Sequence, residues 1–298
     1  MNQTWTPPKN LKISDWADTY RKLSPESSAE AGQWRTDRAE YQREIMDAFN
    51  DPDTQRIVFM KSAQVGATEI LLNVIGYYID QDPSPMLIMQ PTLAMSQAFS
   101  KDRLSAMIRD SEKIRDCVKD ARSRDSGNTV LSKKFAGGNL NIVGSNSAAG
   151  LASRPIRIVL ADEVDRYEQS AGAEGDPISL ATKRTTTFWN KKIYMCSTPT
   201  IKGLSRIEAA FEESDKRYYN VPCPECNHKQ ILKWKNVVWD EDKPETAAYA
   251  CNDCGSVINE SKKQWMLKNG EWIATATKSD TAGFHISELY SVWSTWAD

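Results

Sequence analysis

Residues 57 to 68 read IVFMKSAQVGAT, an apolar run that passes into a loop of small and polar residues. Four consecutive apolar residues suit a strand that is buried on both faces. The residues that follow, 68 to 80, are too densely apolar for a half-exposed strand, so they predict a buried helix. A strand, a loop and a helix in this order indicate the start of a parallel α/β sheet.

The loop itself partly matches the phosphate-binding template G-x-x-x-x-G-K-[ST]. In that template, backbone N–H groups at a helix N-terminus surround the phosphates, a lysine contacts the outer phosphates and a hydroxyl binds Mg²⁺. Gly66 and Thr68 occupy the expected positions, whereas Ala67 replaces the lysine and Lys61 replaces the first glycine. A lysine at the loop's start can still fold back over phosphates, although the segment also fits an ordinary strand-to-helix connection. The candidate nucleotide-binding residues here are Lys61, Ser62, Ala63, Gln64, Val65, Gly66, Ala67 and Thr68.

A second apolar strand, Ile158 to Ala161, ends in two adjacent carboxylates. At such a strand end Asp162 can hold Mg²⁺, and Glu163 can polarise an attacking water. Alternation along a strand points the two side chains apart, which gives them separate roles. An isolated Asp-Glu pair also fits a strand that runs into an acidic loop, but the upstream loop favours a nucleotide site. No G-x-G-x-x-G follows a strand, which argues against a Rossmann dinucleotide site.

Other apolar runs extend the alternation of strands and helices around these motifs. The predicted strands cover residues 86–89, 156–160 and 193–195, and a hairpin with a Gly137-Gly138 turn joins 129–131 to 140–143. We predict a helix over 38–49 and one or two amphipathic helices over 92–117. The strand at 193–195 runs into Ser197, Thr198, Pro199 and Thr200, which place hydroxyls where a γ-phosphate can be sensed. From about Ser205, segments rich in Trp and Lys replace the alternation, so we predict a boundary between Gly203 and Ser214.

The composition of the 298 residues is that of a soluble globular chain without a membrane span or a disulfide framework. Hydrophobic residues make up 40% and charged residues 26% of the chain, and no apolar run approaches the ~18 to 20 residues of a transmembrane helix. The amino terminus has no basic segment followed by an apolar one, so we expect a cytoplasmic rather than a secreted protein. A net charge of -2 leaves DNA contact to local patches such as Lys133-Lys134 or Lys183-Arg184, which also fit solvated surface.

Four of the six cysteines form two Cys-x-x-Cys pairs. Each pair can present two thiolates in a tight turn, and together Cys223, Cys226, Cys251 and Cys254 match the tetrahedral ligand set of Zn²⁺. Apolar residues between the pairs predict the strands of a zinc ribbon. Metal-free buried thiols and a redox pair are the alternatives. We expect the remaining cysteines to be ordinary buried thiols: Cys117 and Cys196.

Together these motifs resemble the phage terminase large subunits of the GpA, or lambda-like, family, which are ATP-driven motors that package viral DNA. The matched segments cover nearly the whole chain: Trp34-Arg35-Thr36, Tyr41-Gln42, Lys61 to Thr68, Gln90-Pro91-Thr92, Gly150-Leu151, Ser153-Arg154-Pro155, Asp162 to Asp165, Ser197-Thr198-Pro199 and Phe284-His285. The lysine displaced to the start of the loop is the most specific of them. The resemblance implies an α/β P-loop NTPase of the ASCE, RecA-like class, with a central, mostly parallel sheet flanked by helices and a C-terminal zinc-ribbon-like subdomain.

The resemblance also implies roles for the matched residues. Lys61, Gly66 and Thr68 bind the phosphates and Mg²⁺, Asp162 binds the metal and Glu163 activates water. Hydrolysis is coupled to movement by Ser197, Thr198 and Pro199. Tyr41 and Gln42 match the place where such motors read adenine, although Gln42 also fits an ordinary exposed helix residue. Positions 63 and 64 lack the arginine finger that terminases often carry, so the candidates, from this chain or a neighbouring subunit, are Arg154, Arg157, Arg166 and Arg184.

For the whole protein the resemblance implies a sequence of segments: an N-terminal helical, adenine-side segment (1–50), a P-loop ATPase core (51–210), a zinc-ribbon subdomain (211–275) and a connector (276–298) toward a nuclease domain outside these residues. The expected cofactors are ATP, Mg²⁺ and a structural Zn²⁺. The expected partners are double-stranded DNA, the terminase small subunit and the portal or procapsid, in the host cell cytoplasm and without a membrane. We expect a homo-oligomeric ring on assembly, a monomer in isolation, and no DNA cleavage by this chain alone, because its motif-bearing carboxylates belong to the ATP site.

Two other functions fit some of these motifs. A superfamily 2-type helicase, or another nucleic-acid-stimulated ATPase, would share the core. A helicase should also carry a second RecA-like domain, whereas the residues after 205 contain the paired cysteines and Trp-rich segments of a zinc ribbon. A zinc-ribbon adaptor with an inactive nucleotide site has no need of Thr68, Asp162 and Glu163. The sequence therefore favours a DNA-translocating ATPase.

Overall fold

The apolar run at residues 57 to 60 lies inside a ten-stranded sheet in the computed structural model, which describes residues 11–26, 28–118, 127–152, 154–277 and 280–298. The strands are β1 (Lys22–Leu23), β2 (Gly32–Gln33), β3 (Arg56–Lys61), β4 (Pro85–Gln90), β5 (Ser132–Phe135), β6 (Gly138–Gly144), β7 (Ile158–Asp162), β8 (Lys192–Ser197), β9 (Arg217–Pro222), β10 (Lys229–Gln230), β11 (Val237–Asp240), β12 (Lys243–Ala250), β13 (Val257–Asn259), β14 (Glu271–Ala274) and β15 (Thr281–Ile286). The α-helices are α1 (Ile13–Tyr20), α2 (Gln42–Asp47), α3 (Ala67–Asp80), α4 (Leu93–Ala98), α5 (Ser105–Asp110), α6 (Glu112–Cys117), α7 (Ala148–Ala152), α8 (Pro177–Lys183), α9 (Arg206–Glu212) and α10 (Lys263–Lys268). Ser153 of the matched segments lies outside the described residues. None of the described helices has the length and apolarity that crossing a membrane requires.

Across the sheet the strands follow the order β10-β9-β15-β3-β8-β7-β4-β6-β5, with β14 also paired to β9. Neighbours from β9 to β6 pair in parallel, whereas β10, β14 and β5 pair antiparallel at the margins. One strand, β8, therefore separates the loop-bearing strand β3 from the acidic strand β7. Because these strands are parallel, their carboxyl ends share one edge, which is where open α/β sheets bind ligands.

Helices cover both faces of the sheet, as the continuous apolar runs require. Ile57 and Phe59 of β3 pack into a core that includes α1, α2 and α3, while Val58 and Met60 pack into a second core that includes α8 and α9. Period-2 alternation thus sends both sets of side chains into apolar surroundings. The strand, helix and strand predicted at 57–60, 68–80 and 86–89 are confirmed as β3, α3 and β4.

The predicted hairpin is present, but its first strand is Ser132–Phe135 rather than residues 129–131. Phe135 pairs with Gly138 across a turn in which Gly137 has a φ of 80°. This tight turn fixes the register, so the strand must continue to Phe135. It therefore includes two lysines that the apolar pattern excluded.

The two long segments predicted to be helical are interrupted. Residues 38 and 39 end a 3₁₀ turn, Thr36–Ala39, and only Gln42–Asp47 of the predicted segment 38–49 form an α-helix, α2. Residues 92–117 are divided by a π-helical turn, Phe99–Leu104, and by Ser111, whose backbone is extended. Apolar spacing indicates which residues face the core, but it does not show where a helix breaks.

Four strands of the central sheet lie beyond the predicted boundary at 203–214: β9, β10, β14 and β15. β15 pairs with β9 on one side and, along all six of its residues, with β3 on the other. The predicted connector, 276–298, therefore contains a strand of the central sheet. A Cβ on Gly283 would lie 1.8 Å from Ser214 Oγ, so close packing requires a glycine at this position. This glycine interrupts the apolar run by which a buried strand is recognised in the sequence. The cysteine-containing segment between β9 and β14 includes a separate three-stranded sheet, β11-β12-β13.

Candidate functional site

The loop after β3 presents unpaired backbone donors at the start of α3. Gly66 has a φ of 77°, and α3 begins at the next residue. Among the described residues, no hydrogen-bond acceptor faces the N–H groups of Gly66, Ala67 and Thr68. A Cβ on Gly66 would lie 2.3 Å from Gln42 Nε2, so this position needs glycine for space as well as for its backbone. Free N–H groups at the positive end of a helix dipole fit an anion such as a phosphate.

Lys61, the last residue of β3, places its ammonium group between two other strand ends. Its Nζ lies 2.6 Å from Glu163 Oε1, after β7, and 3.4 Å from Thr198 Oγ1, after β8. The lysine side chain is only 8% exposed, so these partners rather than water hold its charge. The lysine at the start of the loop thus reaches the acidic strand end.

Asp162, the last residue of β7, accepts hydrogen bonds from both neighbouring strands. The thiol of Cys196 on β8 donates to Oδ1 at 3.1 Å, and the amide of Gln90 on β4 donates to Oδ2 at 2.9 Å. Burial raises the pKa of Asp162, and these two hydrogen bonds oppose the rise. Burial also raises the pKa of Cys196, which keeps the thiol protonated as a donor. Cys196 is a buried thiol, as expected, and its hydrogen bond also orients the predicted metal ligand.

Glu163 follows in a left-handed conformation, with a φ of 54°. This backbone turn aims its carboxylate at Lys61, and Ser197 Oγ donates to Oε2 at 3.5 Å. The two carboxylates have separate partners, as expected, but a left-handed residue rather than strand alternation separates them. Non-glycine residues in this region cost free energy and cluster at active sites.

One of the four candidate arginines reaches this cluster. Arg166 Nε lies 3.5 Å from Glu163 Oε2, and the arginine side chain is 67% exposed. Arg157 instead forms an ion pair of 2.7 Å with Asp82, near the amino end of β7 and away from the cluster. The other two have no contact with the cluster in the described part of the chain: Arg154, which lines a separate cavity of about 260 Å³, and Arg184 at the end of α8.

The residues predicted to couple hydrolysis to movement follow β8 beside these carboxylates. Ser197 Oγ accepts from Asp165 N at 3.2 Å. Asp165 in turn accepts from Thr200 N at 3.0 Å and from Ile207 N, at the start of α9, at 2.8 Å. Asp165, to which the sequence assigned no separate role, therefore links the acidic loop to the loop after β8 and to a helix.

A cavity of about 810 Å³ opens beside the loop. Its lining includes the loop, the N-terminal segment and four later residues: Arg103, Gln264, Lys268 and Trp293. Gln42 is fully buried: its Nε2 donates to Val65 O at 3.0 Å, and no described group donates to its Oε1. The buried Tyr41 hydroxyl donates to the same carbonyl at 3.3 Å. The alternative of an exposed helix residue at position 42 is therefore wrong, and both side chains stabilise the loop.

Four sulfur atoms converge beyond β9. The Sγ atoms of Cys223, Cys226, Cys251 and Cys254 all lie within 4.8 Å of one another. Cys223 is 3.9 Å from Cys254, and Cys226 is 3.8 Å from Cys251. A tetrahedron with Zn–S bonds of ~2.3 Å has edges of about 3.8 Å, so the spacing fits one metal ion and is far too long for disulfides.

The two turns that carry these cysteines have the same backbone conformation and the same N–H to sulfur hydrogen bond. A residue with positive φ follows the second cysteine of each pair, Asn227 at 60° and Gly255 at 73°. The backbone N–H groups of Glu225 and Asp253 donate to the first sulfur of each pair, at 3.4 and 3.5 Å. Such hydrogen bonds orient thiolate ligands and stabilise their charge.

Known proteins resemble this chain along most of its length. The family described as phage terminase large subunit gpA, ATPase domain, matches residues 28–272, which confirms the resemblance of the motifs. The terminase large subunit of Enterobacteria phage P21 is 31% identical over 97% of this chain and 49% of its own length; that of Escherichia phage lambda is 28% identical over the same shares. This chain thus spans about half the length of these relatives. The HK97 bacteriophage large terminase has a similar fold, with a TM-score of 0.51 and 10% identity over 67% of this chain and 40% of that one.

Proposed function

Because this chain belongs to the family of phage terminase large subunit gpA ATPase domains, we propose that it is the ATPase motor portion of a viral terminase. In this proposal it hydrolyses ATP with Mg²⁺ to move double-stranded DNA into a procapsid. The observation that carries the proposal is the 2.6 Å contact between Lys61 Nζ and Glu163 Oε1. This contact joins the displaced lysine of the phosphate loop to an acidic strand end 102 residues away.

The strand order supports a P-loop NTPase fold of the ASCE, RecA-like class. In the described sheet, β8 lies between the loop strand β3 and the acidic strand β7, so the two motifs end at one edge of the sheet. The four-cysteine segment supports a zinc-ribbon-like subdomain beside that core. We assign β9, β14 and β15 to the ATPase core, because they belong to its sheet.

The phosphates are held, in this proposal, by the Lys61 ammonium group and the N–H groups of residues 66–68. Thr68 and Asp162 would hold Mg²⁺, which when bound supplies positive charge to the phosphate oxygens. Glu163 accepts a proton from the attacking water at a carboxylate oxygen. Since Lys61 occupies Oε1 at 2.6 Å, a shift of the lysine toward the phosphates frees the base only when nucleotide is bound.

The surrounding contacts support the remaining roles. Ser197 contacts Glu163 and Asp165, which supports coupling of hydrolysis through Ser197, Thr198 and Pro199 to α9. Tyr41 and Gln42 hold the Val65 carbonyl of the loop beside the cavity, which supports a place for adenine next to them. Among the arginine-finger candidates, Arg166 is favoured, because it is exposed and close to the base.

The four-cysteine cluster is proposed to hold one structural Zn²⁺. The sulfur spacing fits a closed tetrahedral site, and such sites supply folding free energy rather than catalysis. The ring of His228 lies outside the cluster found in the described residues.

The partners are proposals for the whole protein, of which this chain corresponds to about half. They are double-stranded DNA, the terminase small subunit, the portal or procapsid, and further copies of the chain in a ring. The site of action is the host cell cytoplasm. Endonuclease activity is proposed for the intact protein and not for residues 1–298.

A Glu163→Gln variant tests the proposed function. We expect ATP affinity close to that of the wild type and turnover lower by about 10² or more, because the amide cannot accept the proton. Phosphate release and equilibrium ATP binding measure the two quantities, with exposed Glu174→Gln as the matched control. Turnover equal to that of the wild type removes Glu163 from the mechanism. A wild-type chain that binds no Mg²⁺-ATP contradicts the function itself.

A further inference from the structure

Trp293 lines the cavity beside the phosphate loop and has no role in the function proposed above. Its side chain is 45% exposed, although it lies against the loop. Cη2 of its ring is 3.1 Å from the point where a Cβ on Gly66 would stand. An aromatic ring exposed in a cavity is a surface that a flat ligand can cover.

The backbone around Trp293 is fixed to the loop and to the N-terminal segment. Ser291 Oγ donates to Gln64 O at 2.9 Å and accepts from Trp293 N at 3.2 Å. Arg38 Nη2 donates to Val292 O at 3.2 Å. The ring is therefore positioned before any ligand arrives, which lowers the entropy cost of binding.

The other aromatic groups near the loop cannot present a face to a ligand. Trp34 also lines the cavity but is 7% exposed, and its indole N–H donates to Thr36 Oγ1 at 2.9 Å. Tyr41 is fully buried beneath the loop. Within the described lining, Trp293 is the aromatic ring with an accessible face.

The cavity brings two chemically different sets of groups together around Gly66. Lys61 and the free N–H groups of residues 66–68 suit phosphates, whereas Trp293 and the amide of Gln42 lie against Gly66. A purine nucleotide offers charged phosphates and a flat base with donors and acceptors on its edge. Resting on the proposed function, we infer that Trp293 stacks on the base of the bound nucleoside triphosphate and supplies much of the affinity for its nucleoside part.

Binding of ATP and of inorganic tripolyphosphate, which lacks base and ribose, tests this inference. With Mg²⁺ present, Trp293→Ala is expected to weaken ATP binding about tenfold and to leave tripolyphosphate binding within about twofold, as loss of base stacking requires. Trp293→Phe keeps a ring and should retain most of the ATP affinity. The matched control is Trp265→Ala, because Trp265 is also 45% exposed but does not line the cavity.

Fluorescence gives a second readout. ATP should quench the tryptophan emission of the wild type, and this quench should be largely lost in Trp293→Phe. Because phenylalanine keeps an aromatic ring at this position, the comparison does not depend on removing a whole side chain. An unchanged ATP affinity in Trp293→Ala, an equal loss for tripolyphosphate, or an unchanged quench in Trp293→Phe overturns the stacking role alone. A wild-type chain that binds neither ligand overturns the proposed function, and the inference with it.

Discussion

Cys196 and Gln90 donate hydrogen bonds to the two oxygens of Asp162 and so orient this proposed Mg²⁺ ligand. In Cys196→Ala one donor, of about 1 kcal/mol, is lost from a buried carboxylate. We expect the Mg²⁺ concentration for half-maximal ATP hydrolysis to rise about fivefold, and Cys196→Ser to lie closer to the wild type, because its hydroxyl can donate. Mg²⁺ titration at saturating ATP measures this, with the half-buried Cys117→Ala as control. The same Mg²⁺ dependence in Cys196→Ala and wild type would refute the positioning role.

At this scale the sequence identifies residues that match a local template and misses those that depend on sheet order. Lys61, Asp162 and Glu163 could be named because each ends an apolar run beside a recognisable loop. Cys196 and Gln90 contact Asp162 because β8 and β4 flank β7, and no local pattern contains that adjacency. The left-handed backbone of Glu163 could not be predicted either, because no residue type in this segment indicates a positive φ.

The cysteine segment packs against the C-terminal residues that approach the phosphate loop. The Tyr290 hydroxyl accepts from Leu232 N at 2.7 Å and donates to Tyr219 O at 2.8 Å. The rings of Tyr249 and Trp296 lie 5.7 Å apart. Order in the cysteine segment and order in residues 288–296 are therefore linked through direct contacts.

Loss of the proposed Zn²⁺ should act on this element first. For Cys251→Ser we expect bound zinc to fall from one ion per chain toward none, and amide hydrogen exchange to accelerate in residues 223–259 and, to a smaller extent, in 288–296. The strands β3, β7 and β8 should keep their protection, because both of their faces are covered by helices. Metal analysis and exchange measured by mass spectrometry test this against Cys117→Ser. Purified wild type that contains no zinc yet protects residues 223–259 rules out a structural metal.

Elements were predictable where apolar runs are continuous and were misplaced where a turn sets the register. β3, α3 and β4 follow directly from the sequence, since strands buried on both faces leave unbroken apolar runs. β5 was displaced by several residues, because the Gly137 turn rather than apolarity decides where it lies.

For the whole molecule, β15 decides where the ATPase core ends. It lies between β3 and β9, so it joins the strand that precedes the phosphate loop to β9, β10 and β14 at one side of the sheet. A chain cut after residue 275 lacks this strand and should show no cooperative thermal unfolding, whereas a chain cut after residue 287 keeps the strand and should unfold cooperatively. Circular dichroism compares the two. A chain of residues 1–275 that melts like the wild type would place β15 outside the core.

The sequence did not show that β15 belongs to the central sheet. Residues 281–286, TAGFHI, contain a threonine, a glycine and a histidine at positions that a core strand usually fills with apolar side chains. Pairing with β3, which lies far earlier in the chain, is a non-local fact. The composition and the motifs therefore predicted the fold class, but not the extent of the core.

The central claim is that the lysine at the start of the loop supplies the charge that other phosphate loops place at their end. The most direct test is ATP hydrolysis and ATP binding by Lys61→Met, with exposed Lys243→Met as the control and Lys61→Arg to separate charge from packing. We predict that Lys61→Met lowers turnover by about 10² or more and weakens ATP binding about tenfold or more, because the phosphates lose their buried cation. Lys243→Met should match the wild type. A folded Lys61→Met variant that binds and hydrolyses ATP as the wild type does would contradict the account.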